Sequence, residues 1–128
     1  MSGRVLFDTV AFIRALKAPE LLSKKAVSAL FDPETICELS TISISEMAIK
    51  FAVGKLDLNR EAAKEGILDL QLRVLSWKAD HAFQLFHLPL HHPDPFDRQI
   101  IAQALSEKIP VVTPDVKFRL YNGIQVIW

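Results

Sequence analysis

The hydrophobic residues of the chain fall into short segments whose spacing predicts strands alternating with helices. Four short, mostly apolar segments have the length of buried strands, at residues 5–7, 36–39, 109–112 and 124–127. Six longer segments place apolar residues at helical spacing, at residues 10–16, 24–31, 43–53, 60–70, 78–87 and 94–108. A further brief apolar stretch at residues 73–75 stands between two of these predicted helices.

Capping residues indicate where several of these helices begin and end. Glu46 follows Ser43 by three residues, which is the spacing of a capping box and predicts a helix that begins at Ser43. Gly54 stands where a glycine that ends a helix is expected. Asp94 suits the N-cap of the longest predicted helix, and Asp97 then falls in its first turn. Starting a helix is therefore a complete local explanation for both aspartates.

Strands separated by helices predict an α/β protein with three layers, in which a central, mostly parallel sheet lies between helices. The strands are mostly apolar runs, as burial on both faces of a sheet requires. A length of 128 residues predicts one domain spanning residues 1–128. No run approaches the roughly 18 apolar residues of a membrane span, and the N-terminus lacks a signal-like apolar region. We therefore expect a soluble cytoplasmic protein with no membrane partner.

The charge balance limits the kinds of ligand that the protein is expected to bind. Fifteen basic and fifteen acidic residues give a formal charge of zero, which disfavours binding to nucleic acid through charge alone. It leaves open an enzyme whose metal ions bring positive charge to a phosphodiester. Cys37 is the only cysteine, so an internal disulfide is impossible, and this favours a protein of a reducing compartment.

Acidic residues follow the predicted strands, at the ends where an open parallel sheet binds ligands. Asp8 directly follows the first strand, Asp115 comes shortly after the strand at 109–112, and Glu46 lies early in the helix after the second strand. Each has an ordinary alternative as a helix cap or a turn residue. Together, however, such carboxylates would repel one another unless cations were bound, and hard oxygen ligands suit Mg²⁺ or Mn²⁺. A simple alternating layout places Asp94 and Asp97 at the opposite edge of the sheet.

Three other kinds of site are disfavoured. An aspartyl phosphotransferase or dehalogenase with Asp8 as nucleophile would need a second aspartate close behind, and none follows. The four glycines form no G-x-G-x-x-G motif, which disfavours a dinucleotide-binding fold. His91 and His92 are adjacent, without a cysteine or a third histidine at helical spacing, which is poor spacing for zinc. We therefore continue to favour a site with two divalent ions, which bind the attacking and leaving oxygens when a phosphodiester is cleaved.

Five sequence blocks resemble those of one known family. They are LFDTVAFIRAL (6–16), LSKKA (22–26), SISEMAIKFAVGKL (43–56), LPLHHPDPFDRQIIAQAL (88–105) and VVTPDVKFRLYNGIQVIW (111–128). The chain resembles PIN-domain ribonucleases, in particular the VapC-like toxins of bacterial and archaeal toxin–antitoxin pairs. The resemblance implies an endoribonuclease that depends on Mg²⁺ or Mn²⁺. It also implies a strand order that brings the start of the long helix to the acidic edge.

The resemblance assigns roles to individual residues. The four family acids, expected to be catalytic and to bind metal, are matched by Asp8, Glu46, Asp97 and Asp115. Asp94 is a further metal candidate, acting through water, besides capping the helix. Three polar residues are supporting candidates, with turn hydrogen bonds or a surface ion pair as the plainer alternatives: Thr9, Thr113 and Arg98.

The chain departs from the family pattern beside these acids. The departures are at Val10, Ser45, Pro93 and Pro114. The two prolines stand where arginine is common in the family, which puts RNA affinity or the choice of substrate in doubt while the acids stay in place. Lys50 and Lys55 are candidates to contact RNA, although lysines at helix ends are more often simply solvated.

The resemblance also implies three partners: an RNA substrate, a cognate antitoxin and a second copy of the chain in a homodimer. The antitoxin is expected to lie in an apolar groove and to send a basic side chain to the acidic site. The groove is expected on the early helices, whose apolar residues could equally be core: Phe12, Leu16, Leu21, Leu22 and Val27. The alternative function is a non-catalytic PIN-like module that binds a protein or RNA.

Overall fold

A five-stranded sheet forms the centre of the protein, which a computed structural model describes for residues 3–128. Its strands are β1 (Gly3–Phe7), β2 (Thr35–Ser40), β3 (Arg73–Leu75), β4 (Val111–Val112) and β5 (Val126–Ile127). Their order across the sheet is β3-β2-β1-β4-β5, and every neighbouring pair is parallel. The predicted α/β fold class with a parallel sheet is confirmed.

Pairs of helices connect the first four strands. The α-helices are α1 (Thr9–Lys17), α2 (Lys24–Phe31), α3 (Thr41–Ala52), α4 (Arg60–Asp69), α5 (Ala79–Gln84) and α6 (Pro95–Glu107). Short 3₁₀ turns lie at Pro19–Leu21, Leu85–His87 and Val116–Leu120. Within residues 3–128, none of the helices combines the length and the apolar character that crossing a membrane requires.

Strand β1 divides the core into the two faces of the sheet, because successive residues of a strand point to opposite sides. Phe7 packs on one face with Phe12 of α1 and Leu39 of β2. Leu6 packs on the other face with Ile101 of α6. All five side chains are fully buried. Helices therefore cover both faces, and Phe12 belongs to the core rather than to an open groove.

Helix α3 begins at Thr41, so the predicted start at Ser43 with a capping box to Glu46 is wrong. Ser40, the last residue of β2, caps the helix, and its Oγ accepts the N–H of Ile42 at 3.0 Å. Strand β2 therefore passes into α3 without a loop. Ser43 lies buried inside the first turn, where its Oγ accepts the hydroxyl of Thr9 at 2.9 Å.

The start of α6 lies at the carboxyl edge of the sheet, as the resemblance implies, and not at the opposite edge, where a simple alternating layout places it. A helix that connects two parallel strands runs antiparallel to them, so it begins where the strands end. The far end of α6 marks the amino edge, because Glu107 there accepts a hydrogen bond from Arg4 of β1 at 3.0 Å. Strand β4 pairs with β1 in the register Phe7 to Val112, so the carboxyl ends of these two strands also meet.

Candidate metal centre

Asp8 occupies the end of β1 and is almost completely buried, with 1% of its surface exposed. Its Oδ1 accepts the N–H of Ala11 at 2.8 Å, so it also caps α1. Its Oδ2 accepts the hydroxyl of Thr113, which follows β4, at 2.5 Å. Burial raises the pKa of Asp8 to about 7, against the effect of these two hydrogen bonds, and the charges of Asp97 and Asp115 raise it further. Capping and membership of an acidic site are therefore combined in one residue.

Glu46 lies on α3, and its two carboxylate oxygens have different surroundings. Oε2 accepts a hydrogen bond from the Lys50 ammonium at 2.5 Å, one helical turn further along α3. Oε1 is buried and has no hydrogen-bond partner within the described part of the chain. The contact with Glu46 raises the pKa of Lys50, and the nearby charges of Asp94 and Asp97 add to this.

Asp94 and Asp97 both lie at the start of helix α6, and their side chains have different surroundings. Asp94 is the N-cap, as predicted, and its Oδ1 accepts the N–H groups of Phe96 and Asp97 at 2.8 and 3.0 Å. Burial and the charge of Asp94 raise the pKa of Asp97 to about 7, and the charges of Glu46 and Asp115 contribute in the same direction. Asp97 is therefore within electrostatic reach of the N-cap of its own helix and of carboxylates from two other parts of the chain, Glu46 on α3 and Asp115 after β4.

His92 links Asp97 and Asp115, which the sequence did not predict. Its Nε2 lies 2.7 Å from Asp115 Oδ2 and 3.2 Å from Asp97 Oδ2. Its Nδ1 accepts the N–H of Asp94 at 3.2 Å, which assigns the proton to Nε2 and makes Nε2–H the donor to Asp115. The imidazole is buried, and its ring meets the edge of Phe118 with centroids 5.8 Å apart.

Asp115 makes two hydrogen bonds within its own turn, one through its side chain and one through its backbone N–H. Its Oδ1 accepts the N–H of Lys117 at 2.9 Å, while its N–H donates to Thr113 Oγ1 at 3.0 Å. Thr113 therefore bridges Asp115 and Asp8, as expected of a residue that orients carboxylates. We call the five acids that these contacts and charges bring together the acidic cluster: Asp8, Glu46, Asp94, Asp97 and Asp115.

The other two supporting candidates lie differently from Thr113. Thr9 is buried and ties α1 to α3 through its bond to Ser43 rather than orienting a carboxylate. Arg98 donates to the carbonyl oxygen of Pro89 at 3.0 Å and lies 3.4 Å from the hydroxyl of Tyr121. Arg98 therefore holds the loop before α6 in this structure, and its supporting role at the site stays a prediction.

The residues present fit a hard divalent cation. Their donors are carboxylate oxygens, which Mg²⁺ and Mn²⁺ prefer. Glu46 Oε1 is a buried acceptor without a partner among the described residues, and such an atom costs free energy unless a cation or donor meets it. Asp97 Oδ2, Asp115 Oδ2 and His92 Nε2 lie within 4.8 Å of one another, although Nε2 would have to lose its proton to ligate an ion.

Comparison with known proteins identifies the family of the chain. A family model described as the PIN domain matches residues 5–124. None of the curated proteins matches the chain.

Three solved structures of bacterial protein complexes have a similar fold. One is VapBC2 from Rickettsia felis bound to a DNA fragment from its promoter, with a TM-score of 0.72, 17% identity and 97% of each chain covered. A second is VapBC-1 from nontypeable Haemophilus influenzae, with a TM-score of 0.66 and 20% identity over 97% of this chain and 96% of that chain. The third is VapBC-5 from Mycobacterium tuberculosis, from the VapBC family of toxin–antitoxin systems, with a TM-score of 0.61, 16% identity and 97% of each chain covered. At these identities the likeness concerns the fold.

Proposed function

The chain belongs to the PIN-domain family, and from this premise we propose that it is a divalent-metal-dependent endoribonuclease, the toxin of a toxin–antitoxin pair. The observation that carries the proposal is the acidic cluster, in which a buried Glu46 oxygen has no partner among the described residues and two aspartates have a raised pKa. Like charges gathered at this density are tolerated only when protons or cations neutralise them. We propose Mg²⁺ or Mn²⁺ as the cation.

In this proposal the four family acids, Asp8, Glu46, Asp97 and Asp115, hold the ion or ions. A bound divalent ion supplies Lewis acidity, which activates water and neutralises charge on the phosphodiester. Thr113 holds Asp8 through Oδ2, and His92 holds Asp115 through Oδ2, so both carboxylates are oriented before substrate binds. Asp94 caps α6 and adds negative charge. Attack by water with release of the 3′ oxygen would leave 5′-phosphate and 3′-hydroxyl ends.

Cleavage of total cellular RNA by the purified chain, free of any antitoxin, tests the proposal. The reaction is run with Mg²⁺, with Mn²⁺ and with EDTA, and in parallel with Asp97→Asn. Cutting that needs the metal and is lost in the variant supports the proposal. If the folded chain binds Mn²⁺ but cuts no RNA in pools from several sources, the proposal fails in favour of the alternative, a non-catalytic PIN-like module.

We also propose a cognate antitoxin as a protein partner, acting with the chain in the cytoplasm. The structural neighbours include toxin–antitoxin complexes, which supports this proposal. An apolar groove of about 420 Å³ lies between α3 and α4, lined by Met47, Phe51 and Ile67 among others. Helix α3 also carries Glu46, which directly precedes Met47 in the chain, although none of the five acids lines the groove. Of the residues expected to line a groove on the early helices, Phe12 is core, whereas Leu21 and Val27 are 54% and 38% exposed. We propose the α3–α4 groove as the binding site of the antitoxin, with the early helices as the alternative site.

The third proposed interaction is a homodimer. Phe83, Phe86 and Leu90 are 65%, 85% and 79% exposed, and the rings of the two phenylalanines stack with centroids 6.4 Å apart. Large apolar side chains exposed together are typical of protein interfaces. Light scattering tests the proposal: a dimer that Phe86→Asp converts to a monomer supports it, and a monomeric wild-type chain contradicts it.

A further inference from the structure

Within residues 3–128, Lys50 is the one cation that the fold places against the acidic cluster. Its ammonium lies 2.5 Å from Glu46 Oε2, and no other lysine or arginine of this described range forms an ion pair with the five acids. An ordinary pair of this spacing lies on a helix surface with both partners in water. Here the Glu46 side chain is only 6% exposed, whereas Lys50 remains 42% exposed. Lys50 can therefore reach both the buried site and a ligand that arrives from solvent.

The hydrogen bonds of the ammonium leave room for a second partner. An ammonium has three N–H donors, and the contact with Glu46 uses one of them. The opposite Glu46 oxygen, Oε1, is the one without a partner among the described residues, so the lysine does not occupy the oxygen that is free for a metal ion. Lys50 and a cation can thus bind the same carboxylate through different oxygens.

We propose that Lys50 binds a non-bridging oxygen of the scissile RNA phosphate and rests on Glu46 when no substrate is present. This inference depends on the proposed ribonuclease function and adds a residue to it. A phosphodiester carries one negative charge, and a second develops as the water oxygen bonds to phosphorus and the bond to the 3′ oxygen breaks. A fixed ammonium beside the phosphate stabilises that charge. Lys50 stays protonated throughout, because the proton of the attacking water passes to solvent and the 3′ oxygen takes one from solvent.

The test separates metal binding from cutting. Lys50→Met removes the cation, Lys50→Arg keeps a cation, and Lys25→Met is the matched control, because Lys25 is an exposed lysine that lies on another helix, α2. Binding of Mn²⁺ alone is measured without RNA by electron paramagnetic resonance, and cutting of total cellular RNA is measured at saturating Mn²⁺. Circular dichroism confirms folding, and Lys50→Gln replaces Lys50→Met if the latter does not fold.

We expect Lys50→Met to slow RNA cutting without weakening Mn²⁺ binding. It should bind Mn²⁺ as tightly as wild type or roughly two- to fivefold more tightly, because a competing positive charge beside Glu46 is gone. It should cut RNA roughly 100-fold more slowly, the usual size of the loss when one fixed stabilising group is removed. Lys50→Arg should recover most of the rate, and Lys25→Met should match wild type in both measurements.

Three results would overturn the inference. Cutting by Lys50→Met at the wild-type rate overturns it while the ribonuclease proposal stands. A parallel loss of Mn²⁺ binding and cutting also overturns it, because Lys50 would then act only as a support for Glu46. If the wild-type chain cuts no RNA, the ribonuclease proposal and this inference fail together.

Discussion

Replacing Asp8 by asparagine is predicted to stabilise the metal-free protein at pH 8 and to leave its stability almost unchanged at pH 4. Burial, more than any other cause, raises the pKa of Asp8 from 3.8 to about 7. The folded state therefore holds this proton more tightly than the unfolded state. The stability linked to the proton is fully present below pH 4 and is lost as the pH rises through 7. The difference between the two pKa values corresponds to roughly 4 kcal/mol of unfolding free energy above pH 7.

The substituted side chain in Asp8→Asn would keep the contacts of the native residue while removing its charge. The new carbonyl oxygen can accept the N–H of Ala11, and the new amide can donate to the hydroxyl oxygen of Thr113. The assay is urea denaturation of both proteins in EDTA from pH 4 to 8.5. Asp97, whose pKa is also raised to about 7, titrates in this range in both proteins, so the comparison uses the difference between the two curves rather than either curve alone. We expect a difference near zero at pH 4 that grows to several kcal/mol by pH 8. A difference that stays constant across this range would refute the reasoning.

Three further substitutions test metal binding, stability and antitoxin binding separately. His92→Gln should weaken Mn²⁺ binding roughly tenfold in a direct titration, because Asp115 loses the donor that orients it, and unchanged binding would contradict this role. Arg4→Met should lower the free energy of unfolding in urea by about 2 kcal/mol, because Glu38, 1% exposed, loses its two-pronged partner but keeps the Arg73 contact at 3.2 Å. RNA cutting per folded molecule should not change. Phe51→Asp should abolish co-purification with a co-expressed antitoxin while the free chain still cuts RNA, and equal co-purification would place the antitoxin outside the α3–α4 groove.

The periodic elements could be predicted from the sequence, because a buried face repeats its apolar residues over several turns or along a whole strand. Strand β4 is an example of an element whose boundary the apolar spacing does not predict. The apolar run covers residues 109–112, yet β4 itself comprises only Val111–Val112. The N–H of Ile109 is taken by the carbonyl oxygen of Ala104 at the end of α6, and Pro110 has no N–H to donate. The boundary is therefore decided by how the preceding helix ends, which apolar spacing does not record.

The same limit explains the error at Ser43. Ser40 and Ser43 both precede a helical apolar pattern, and only Ser43 has a glutamate three residues later. The choice between them depends on β2 continuing in extended conformation through residue 40, since the sheet holds Ser40 beside Leu75 of β3. Pairing with a neighbouring strand thus outweighed the local capping signal.

Strand ends and family blocks point to the individual acids of the acidic cluster, whereas the groups that hold those acids come from contacts between distant parts of the chain. Thr113 and Asp8 are separated by 105 positions, and His92 and Asp115 by 23. The only metal that the sequence around His92 brought into question was zinc, which the spacing disfavours. The partners of His92 in the site are adjacent to it in space, through the pairing of β1 with β4 and the antiparallel course of α6. A site made of carboxylates alone would be destabilised by the repulsion between their negative charges. The hydroxyl of Thr113, the Nε2–H of His92 and the ammonium of Lys50 each bind one oxygen of a different acid, which leaves Glu46 Oε1 as the buried acceptor open to a cation. The proposed chemistry therefore depends on these three donors as much as on the acids, and substitutions at the donors should tune metal affinity and rate without removing a ligand.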